Sequence, residues 1–454
     1  MDTEDLIVIG GGPAGYLAAQ RAAEGGMQAV LFEEKNLGGV CLNEGCVPTK
    51  TLLNCAKIYH HAKCGQAFGV SAEHVELHIP QVIARKNKVV KTLVSGVAMT
   101  MKKNKVKVIS QKAVIEKEVE DGFLVKSEEQ EYKAKNILIA SGSEAVIPNI
   151  PGTKESLEQG LAVTSREILD EETLPKKLTI IGAGVIGLEM ATYFNTVGVE
   201  VTVVEMLDKV AGPMDVKLSK LLEKELKKKG IQFMLDTKVV ELKGSSLVCE
   251  KNGEIINVEG DKILFCIGRR PVTQGLGLEN IGVEVEKGIV TDENLCTSVK
   301  GVYAAGDVNG KIMLAHTGYR ESEVAVRHML GIEDKMDYNV IPSVVYTFPE
   351  MASVGETLES AKEKGLEVKV SELPMMYSGR FVAENDKESG TCKLLLDTKT
   401  NCLAGAHLLG TYASEIIWGL AALIGQKVTL EEIKKIVFPH PSVSEIVKET
   451  VFKL

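Results

Sequence analysis

The stretch 38–50, Gly-Gly-Val-Cys-Leu-Asn-Glu-Gly-Cys-Val-Pro-Thr-Lys, holds the residue types best suited to chemistry. Cys41 and Cys46 stand five positions apart. One regular helix would hold their Cα atoms roughly 8–9 Å apart, beyond the ~7 Å limit for a disulfide. Gly45 relaxes the turn enough to close a small, strained ring. Rings of that kind suit thiol–disulfide exchange rather than stapling. Lys50 follows Cys46 at i+4, so a helix running on from Cys46 sets a cation beside that sulfur. A cation and a helix N-terminus both favour thiolate. The alternative reading is a pair of buried structural cysteines, in a chain that has nine.

The elements that must position this stretch stand on either side of it. A short apolar strand, Leu6–Ile9, runs into Gly10-Gly-Gly12-Pro-Ala-Gly15, an alanine-rich helix to about Glu24, and a strand Ala29–Phe32 ending on Glu33. In a G-x-G-x-x-G of this context Gly10 makes the tight turn and Gly12 admits a pyrophosphate to the backbone. Gly15 lets the helix pack on the strand, and the acid accepts hydrogen bonds from a ribose. The phosphates then sit on the helix N-terminus. The unit recurs 172 residues on: Leu178–Ile181, Gly182-Ala-Gly184-Val-Ile-Gly187, a helix, and Val201–Val204 ending on Glu205. Two copies with matched spacing indicate two dinucleotide-binding folds. Glu205 would repel a 2′-phosphate and no arginine follows it closely, which favours NAD over NADP there. Glu189 is expected in the first turn of the second helix, where an acid suits the helix dipole.

The remaining chain fits an α/β protein of more than one domain. A basic helix is expected over 79–103, then strand pairs including 106–109 and 113–115, and a strand 137–140 running into Ser141-Gly142-Ser143. Pro148 and Pro151 flank a linker. Strand 262–267 leads into Gly268-Arg-Arg-Pro271, and Val302-Tyr-Ala-Ala-Gly306-Asp307 is a strand ending in a turn and an acid. From Tyr338 the texture turns to period-two strands with helices at 414–424 and 442–451, an antiparallel sheet with helices. The expected division is 1–148 with 271–337, 149–270, and 338–454. At 454 residues with 44% hydrophobic and 25% charged content, there is ample core. A net charge of −9 leaves no basic footprint for nucleic acid. No apolar run reaches the ~18 residues of a membrane span, and no signal segment is expected before the first strand. The odd cysteine count fits a reducing cytoplasm, where a disulfide would be catalytic. No metal site is expected.

The tail holds His440-Pro-Ser-Val-Ser-Glu445. Histidine moves protons near neutral pH, and a carboxylate fixes its tautomer. Ser442-x-x-Glu445 is equally a capping box, which leaves His440 as an ordinary surface histidine.

Taken together, Gly38–Lys50, the two glycine motifs, Ala305-Gly-Asp307 and His440–Glu445 resemble the pyridine nucleotide-disulfide oxidoreductases over essentially the whole chain. That resemblance implies FAD on the first fold with Asp307 and Gly142 against it, and NAD on the second. It implies that Lys50 pairs with Glu189 near both rings, and that Gly268 and Arg269 lie beside NAD. It also implies a homodimer formed through the last domain, with intersubunit active sites in which His440, oriented by Glu445, serves the partner's Cys41. Among family members the chain is most similar to those that oxidise dihydrolipoamide on a lipoyl domain or lipoyl-carrier protein. Cys41 is then the sulfur attacked and Cys46 the thiolate that faces the flavin. Phe438 stands where the family often has a second histidine, and Ser141 where threonine is commoner. The remaining seven cysteines match no motif.

Overall fold

A computed structural model describes residues 3–128, 130–386 and 388–454. The chain divides into two compact units. One comprises Met1–Thr51, Pro80–Val146 and Gly268–Asp337; the other comprises Leu52–Ile79, Ile147–Ile267 and Tyr338–Leu454.

The first unit is built on a seven-stranded sheet. Strands Lys107–Ile109, Ala29–Phe32, Thr3–Ile9, Gln130–Ile139 and Val302–Ala304 run parallel. Their apolar runs are buried on both faces, as parallel strands require. Ile7, Val30, Ile137, Ile139 and Val302 are all fully buried in one cluster. Gln130–Ile139 is ten residues long and serves two purposes. Its first half pairs antiparallel with Gly122–Ser127, and the rest joins the parallel stack. The strand expected only over 137–140 is therefore the second half of a longer one. The amphipathic helix Ile79–Lys103 forms over the expected span.

The second unit repeats the parallel design with five strands, in the order Gln232–Met234, Glu200–Val204, Lys177–Ile181, Lys262–Phe265, Ala162–Thr164. A three-stranded antiparallel sheet, Lys238–Lys243, Ser246–Lys251 and Glu254–Val258, is added to it. From Ser343 onward there is a five-stranded antiparallel sheet in which Cys402–Leu409 lies between Met351–Gly355 and Thr391–Asp397. Its apolar face packs against the helix Ala413–Gly425 through Leu394, Leu396, Ala406, Leu408, Ile417 and Leu420. The helix expected over 442–451 begins only at Glu445. The Ser442 hydroxyl donates back to the Pro439 carbonyl at 2.7 Å and pairs with Ser444 Oγ at 2.9 Å, and the helix has no side-chain cap.

A buried ion pair joins two parts of this second unit. Asp215 is fully buried, accepts the Lys217 and Leu218 N–H groups at the start of the helix Val216–Lys228, and takes Lys393 Nζ at 2.5 Å. Burial alone would raise its carboxyl pKa, but Lys393 and the Leu218 N–H outweigh that and hold it below the ordinary range. Lys393→Met should leave a buried carboxylate without its cation and cost about 3–5 kcal/mol, seen as a lower urea midpoint for the unit's transition. Adding Asp215→Asn, which keeps a capping side chain without the charge, should recover most of the loss. A parent-like midpoint for the single variant would show that the pair contributes nothing.

Candidate active site

Two helices meet at the cysteine pair. Gly39–Asn43 forms one short turn of helix, preceded by Gly38 in the left-handed region at φ +93°. A Cβ at Gly38 would lie 2.6 Å from Leu42 Cδ1, so only glycine fits there. Asn43 ties the turn down, donating to the Leu37 and Gly39 carbonyls at 3.0 and 2.9 Å. Helix geometry is lost at Glu44 (φ −135°) and resumes at Cys46, the first residue of the helix Cys46–Cys64. That interruption, rather than a stretched regular helix, brings the two thiols into a hydrogen bond. The Cys46 hydrogen bond, followed by burial, pushes the Cys41 thiol upward; Lys50 opposes this and Asp307 adds to it. Cys46 is exposed and Cys41 half-buried, and both carry free thiols. Lys50 lies in the same helix as Cys46 at i+4, as expected.

The pair is seated against the first glycine loop. Gly38 N–H donates to Gly11 O at 2.8 Å, and a Cβ on Gly39 would stand 2.7 Å from Gly12 Cα. Gly10 has φ +106° and a Cβ there would meet Ala140 O at 2.3 Å; one on Gly15 would meet Gly10 O at 1.7 Å. Gly12 differs: its absent Cβ faces open space, with nothing nearer than 3.8 Å. The helix Pro13–Glu24 that starts there has no side-chain cap and no acid in its first turn, so its N–H groups suit an anion. Glu33 accepts Gly11 N–H and Lys35 N–H, both at 2.7 Å, each carboxylate oxygen keeping a lone pair for a ribose.

Asp307 accepts Ser143 Oγ at 2.5 Å, and Arg269 donates Nε to that same hydroxyl and Nη2 to the Ser143 carbonyl, both at 2.7 Å. The strand Arg269–Pro271 pairs with Ser143–Ala145 beside them, and Gly142 (φ +75°) has open space where its Cβ would be. Glu321 is fully buried and accepts Gly306 N–H at 2.5 Å and Asn309 Nδ2 at 2.8 Å, fixing the Gly306-Asp307 turn. Thr317 is fully buried, and its hydroxyl has no partner among the described residues. An uncapped helix start, open glycines and an unmatched buried hydroxyl fit a phosphate-bearing dinucleotide such as FAD. Sequence reading missed Ser143 and Glu321, which lie in no motif. Adjacency to Gly142 was the only available signal for the serine.

The second fold repeats the first. Gly182 (φ +104°) would clash with Cys266 O at 2.3 Å, Gly187 with Gly182 O at 2.1 Å, and Gly184 again faces open space. Glu205 accepts Ala183 N–H at 2.7 Å and Leu207 N–H at 2.9 Å. This cradle likewise suits NAD. Glu189 needs correction: the helix runs Val185–Thr196, so Glu189 is its fifth residue, past the first turn. It is buried and accepts Tyr346 N–H at 3.1 Å, so its acid answers a backbone donor rather than the helix dipole. Gly268 (φ +112°) opens onto free space and belongs to the first unit.

At the tail, His440 Nδ1 lies 2.9 Å from Glu445 Oε1. The other oxygen, Oε2, accepts Ser442 N–H at 3.0 Å. Glu445 thus makes one half of the capping box and orients the imidazole as well, so the two sequence readings are compatible. With Nδ1 turned to a carboxylate, Nε2 is the basic nitrogen, and the side chain is 81% exposed.

Comparison with known proteins decides the family. Residues 4–322 match the family model for pyridine nucleotide-disulphide oxidoreductases, and residues 341–451 match the dimerisation domain of that family. The chain belongs to this family. It is 38% identical to "Dihydrolipoyl dehydrogenase 2, mitochondrial" of Arabidopsis thaliana, covering 99% of this chain and 90% of that one. It is 34% identical to the dihydrolipoyl dehydrogenase of Mycoplasma pneumoniae, covering 99% and 98%. Among solved structures it resembles the HOCl-induced flavoprotein disulfide reductase RclA of Escherichia coli, with TM-score 0.85, 26% identity and 99% of each chain covered. The α/β fold expected from the two glycine motifs is the family's fold. Among the described residues, no helix is long and apolar enough to cross a membrane.

The Ser442 N–H first, and His440 second, hold the Glu445 carboxyl below an ordinary glutamate's 4.5. A depressed carboxyl contributes stability above its unfolded value and loses it as pH falls through the folded one. The 440–445 turn should therefore keep its bonds from pH 8 down to about 5. In His440→Gln the carboxyl should move back only part of the way, because the larger contribution remains. Carbon NMR titration of Glu445 reads both, and an ordinary value in the parent would remove this account.

Proposed function

We propose that this chain is an NAD-dependent dihydrolipoamide dehydrogenase, working as a homodimer on a lipoyl domain or lipoyl-carrier protein of a multienzyme complex in the cytoplasm. One observation carries the reading. The two cysteines hydrogen-bond across a broken helix, beside a cation and against a dinucleotide cradle, in a chain of this family. The relatives named dihydrolipoyl dehydrogenase along the full length support the substrate. The match at 341–451 supports the dimer.

His440 Nε2, oriented through Nδ1 by Glu445, takes a proton from one thiol of dihydrolipoamide bound at the partner's cysteines. The substrate thiolate attacks Sγ of Cys41 and breaks its bond to Cys46, which leaves as thiolate. The second substrate thiol then attacks the mixed disulfide, closing the lipoamide ring and releasing Cys41, which takes up that thiol's proton. Cys46 begins a helix of nineteen residues, whose N-terminus stabilises that thiolate. Gly10, Gly12, Gly15, Glu33, Gly142 and Asp307 would hold FAD, which when bound would supply the two-electron acceptor between the reduced cysteine pair, whose disulfide is thereby restored, and NAD. Gly182, Gly184, Gly187 and Glu205 hold NAD, and the Glu205 carboxylate repels a 2′-phosphate.

Steady-state turnover with free dihydrolipoamide, oxidised glutathione and mercuric ion side by side tests the substrate class. Dihydrolipoamide with NAD should give rapid NADH formation, whereas oxidised glutathione and mercuric ion should oxidise NADH or NADPH only slowly. NADP should give kcat/KM at least about a hundredfold lower, the scale of a like-charge clash of several kcal/mol. Rapid turnover of glutathione with NADPH would overturn the reading.

The shared site has its own test. Cys41→Ser and His440→Gln homodimers should each be nearly inactive, the latter down by about 10²–10⁴. Unfolding and refolding them together should restore activity. A mixed dimer has one site with both lesions and one site with an intact cysteine pair from one chain and an intact histidine from the other. If co-refolding recovers nothing, each histidine serves its own chain.

A further inference from the structure

The Ser143 hydroxyl stands between two charged side chains of the first unit, and its hydrogen can point only one way. A guanidinium donates and never accepts. Arg269 Nε, 2.7 Å away, therefore makes the Ser143 oxygen an acceptor, and the hydroxyl hydrogen is left for Asp307 Oδ2 at 2.5 Å. A second bond, from Arg269 Nη2 to the Ser143 carbonyl at 2.7 Å, closes the guanidinium fork on the same residue. The bonds run in one direction, from cation through hydroxyl to carboxylate.

Local pairing brings these three residues together. In the antiparallel pair of Arg269–Pro271 with Ser143–Ala145, Pro271 stands opposite Ser143 and Arg270 opposite Glu144. The ends are fastened by Val272 N–H to Gly142 O and Val146 N–H to Gly268 O, both at 3.0 Å. Successive side chains of a strand point to opposite faces, which parts Arg269 from Arg270. Arg270 turns outward to Glu144 at 2.7 Å, the two side chains 70% and 54% exposed, whereas Ser143 is buried. Glu321 fixes the main chain of the Gly306-Asp307 turn, so Ser143 is what remains to set the Asp307 side chain.

An acid in a cradle for a phosphate-bearing ligand is unfavourable by itself, because like charges repel. Here Oδ2 of Asp307 is taken by Ser143, which leaves Oδ1 with lone pairs for a ligand hydroxyl. Arg269 brings a positive charge to the far side of that hydroxyl without occupying Oδ1. We propose that Arg269 and Ser143 are positioning residues for the first cradle: they orient the Asp307 carboxylate toward a hydroxyl of the FAD chain and offset its charge beside the phosphates. The inference rests on the reading of that cradle as the FAD site. The family resemblance sets Arg269 beside NAD, whereas its bonds in this chain run to the first fold.

The test follows FAD release from holoenzyme after dilution into flavin-free buffer, read by flavin fluorescence. Ser143→Ala and Arg269→Met should each release FAD about tenfold faster than the parent, the scale of one lost hydrogen bond to a charged group. Arg270→Met, on the other face of the same strand, should match the parent. Ser143→Thr keeps the hydroxyl and suits a strand, so it should stay within about threefold of the parent. Release from it as fast as from Ser143→Ala would overturn the role given to the hydroxyl. The decisive comparison adds Asp307→Asn. Residues that act through Asp307 lose their effect once its charge is gone, so Ser143→Ala should add less than about twofold in that background. A full tenfold addition would show that Ser143 acts independently of Asp307 and overturn the proposal. If Ser143→Ala does not fold, Arg269→Met with and without Asp307→Asn carries the same comparison. Parent-like release from both Ser143→Ala and Arg269→Met would overturn the proposal and leave the FAD site standing. A parent that takes up no flavin would overturn the FAD reading itself, and this proposal with it.

Discussion

A contact that tolerates no side chain organises this molecule. At Gly15 a Cβ would lie 1.7 Å from the carbonyl oxygen of Gly10, and 172 residues on Gly187 meets Gly182 in the same way at 2.1 Å. Each contact drives a helix start down onto the end of a parallel strand. In each the middle glycine is left facing open space, where a phosphate can reach backbone N–H groups. The cysteine loop then depends on the first of these cradles. Gly39 packs on Gly12 with no room for a Cβ of its own, and Gly38 bonds to Gly11. A methyl group at Gly12 would be tolerated by the protein and would intrude only on the ligand. At Gly10 or Gly15 it would displace backbone and carry the cysteines with it.

Carboxylates complete what the glycines begin. Glu33 and Glu205 close on the second residue of their loops. Glu321 holds the Gly306 N–H, Asp215 caps a helix, and Glu445 holds Ser442 while orienting His440. In every case one oxygen accepts a backbone N–H and the other takes a further donor, a second backbone N–H for Glu33 and Glu205 and a side chain for Glu321, Asp215 and Glu445. A carboxylate has lone pairs enough for both, so structural and functional readings of these acids do not compete.

Local spacing made the glycine loops, the cysteine stretch and the His440–Glu445 pair legible in the sequence, because each is confined to a few dozen residues or fewer. Two details within such stretches were misplaced. Glu189 falls beyond the first turn because its helix begins at Val185. The last helix begins at Glu445, three residues after the expected start, with Ser442 bonded outside it to Pro439 O and Glu445 Oε2. The helix break at Glu44 was legible only as a flexible glycine one residue later. What stayed hidden depends on distant pairing. Ser143 and Asp307 are 164 positions apart, and Asp215 and Lys393 are 178 apart. No periodicity connects such partners.

The asymmetry of the two sulfurs follows from the same local geometry. A dithiol five residues apart on one unbroken helix would place both groups in similar surroundings. Here the chain leaves one helix after Asn43 and enters the next at Cys46. Cys41 therefore lies midway along its five-residue helix, half-buried, hydrogen-bonded to Cys46 and held upward by that bond and by burial. Cys46 lies at the positive end of a long helix with Lys50 one turn on. Burial and the bond to Cys46 disfavour thiolate at Cys41, whereas a helix N-terminus and a cation are features that favour thiolate at the position of Cys46. Greater exposure of Cys46 in the isolated chain does not change this ordering, because exposure measures access, whereas the charge follows the helix terminus and the cation. The break at Glu44–Gly45 thus sets two things at once: it brings the sulfurs within reach of each other, and it makes them unequal.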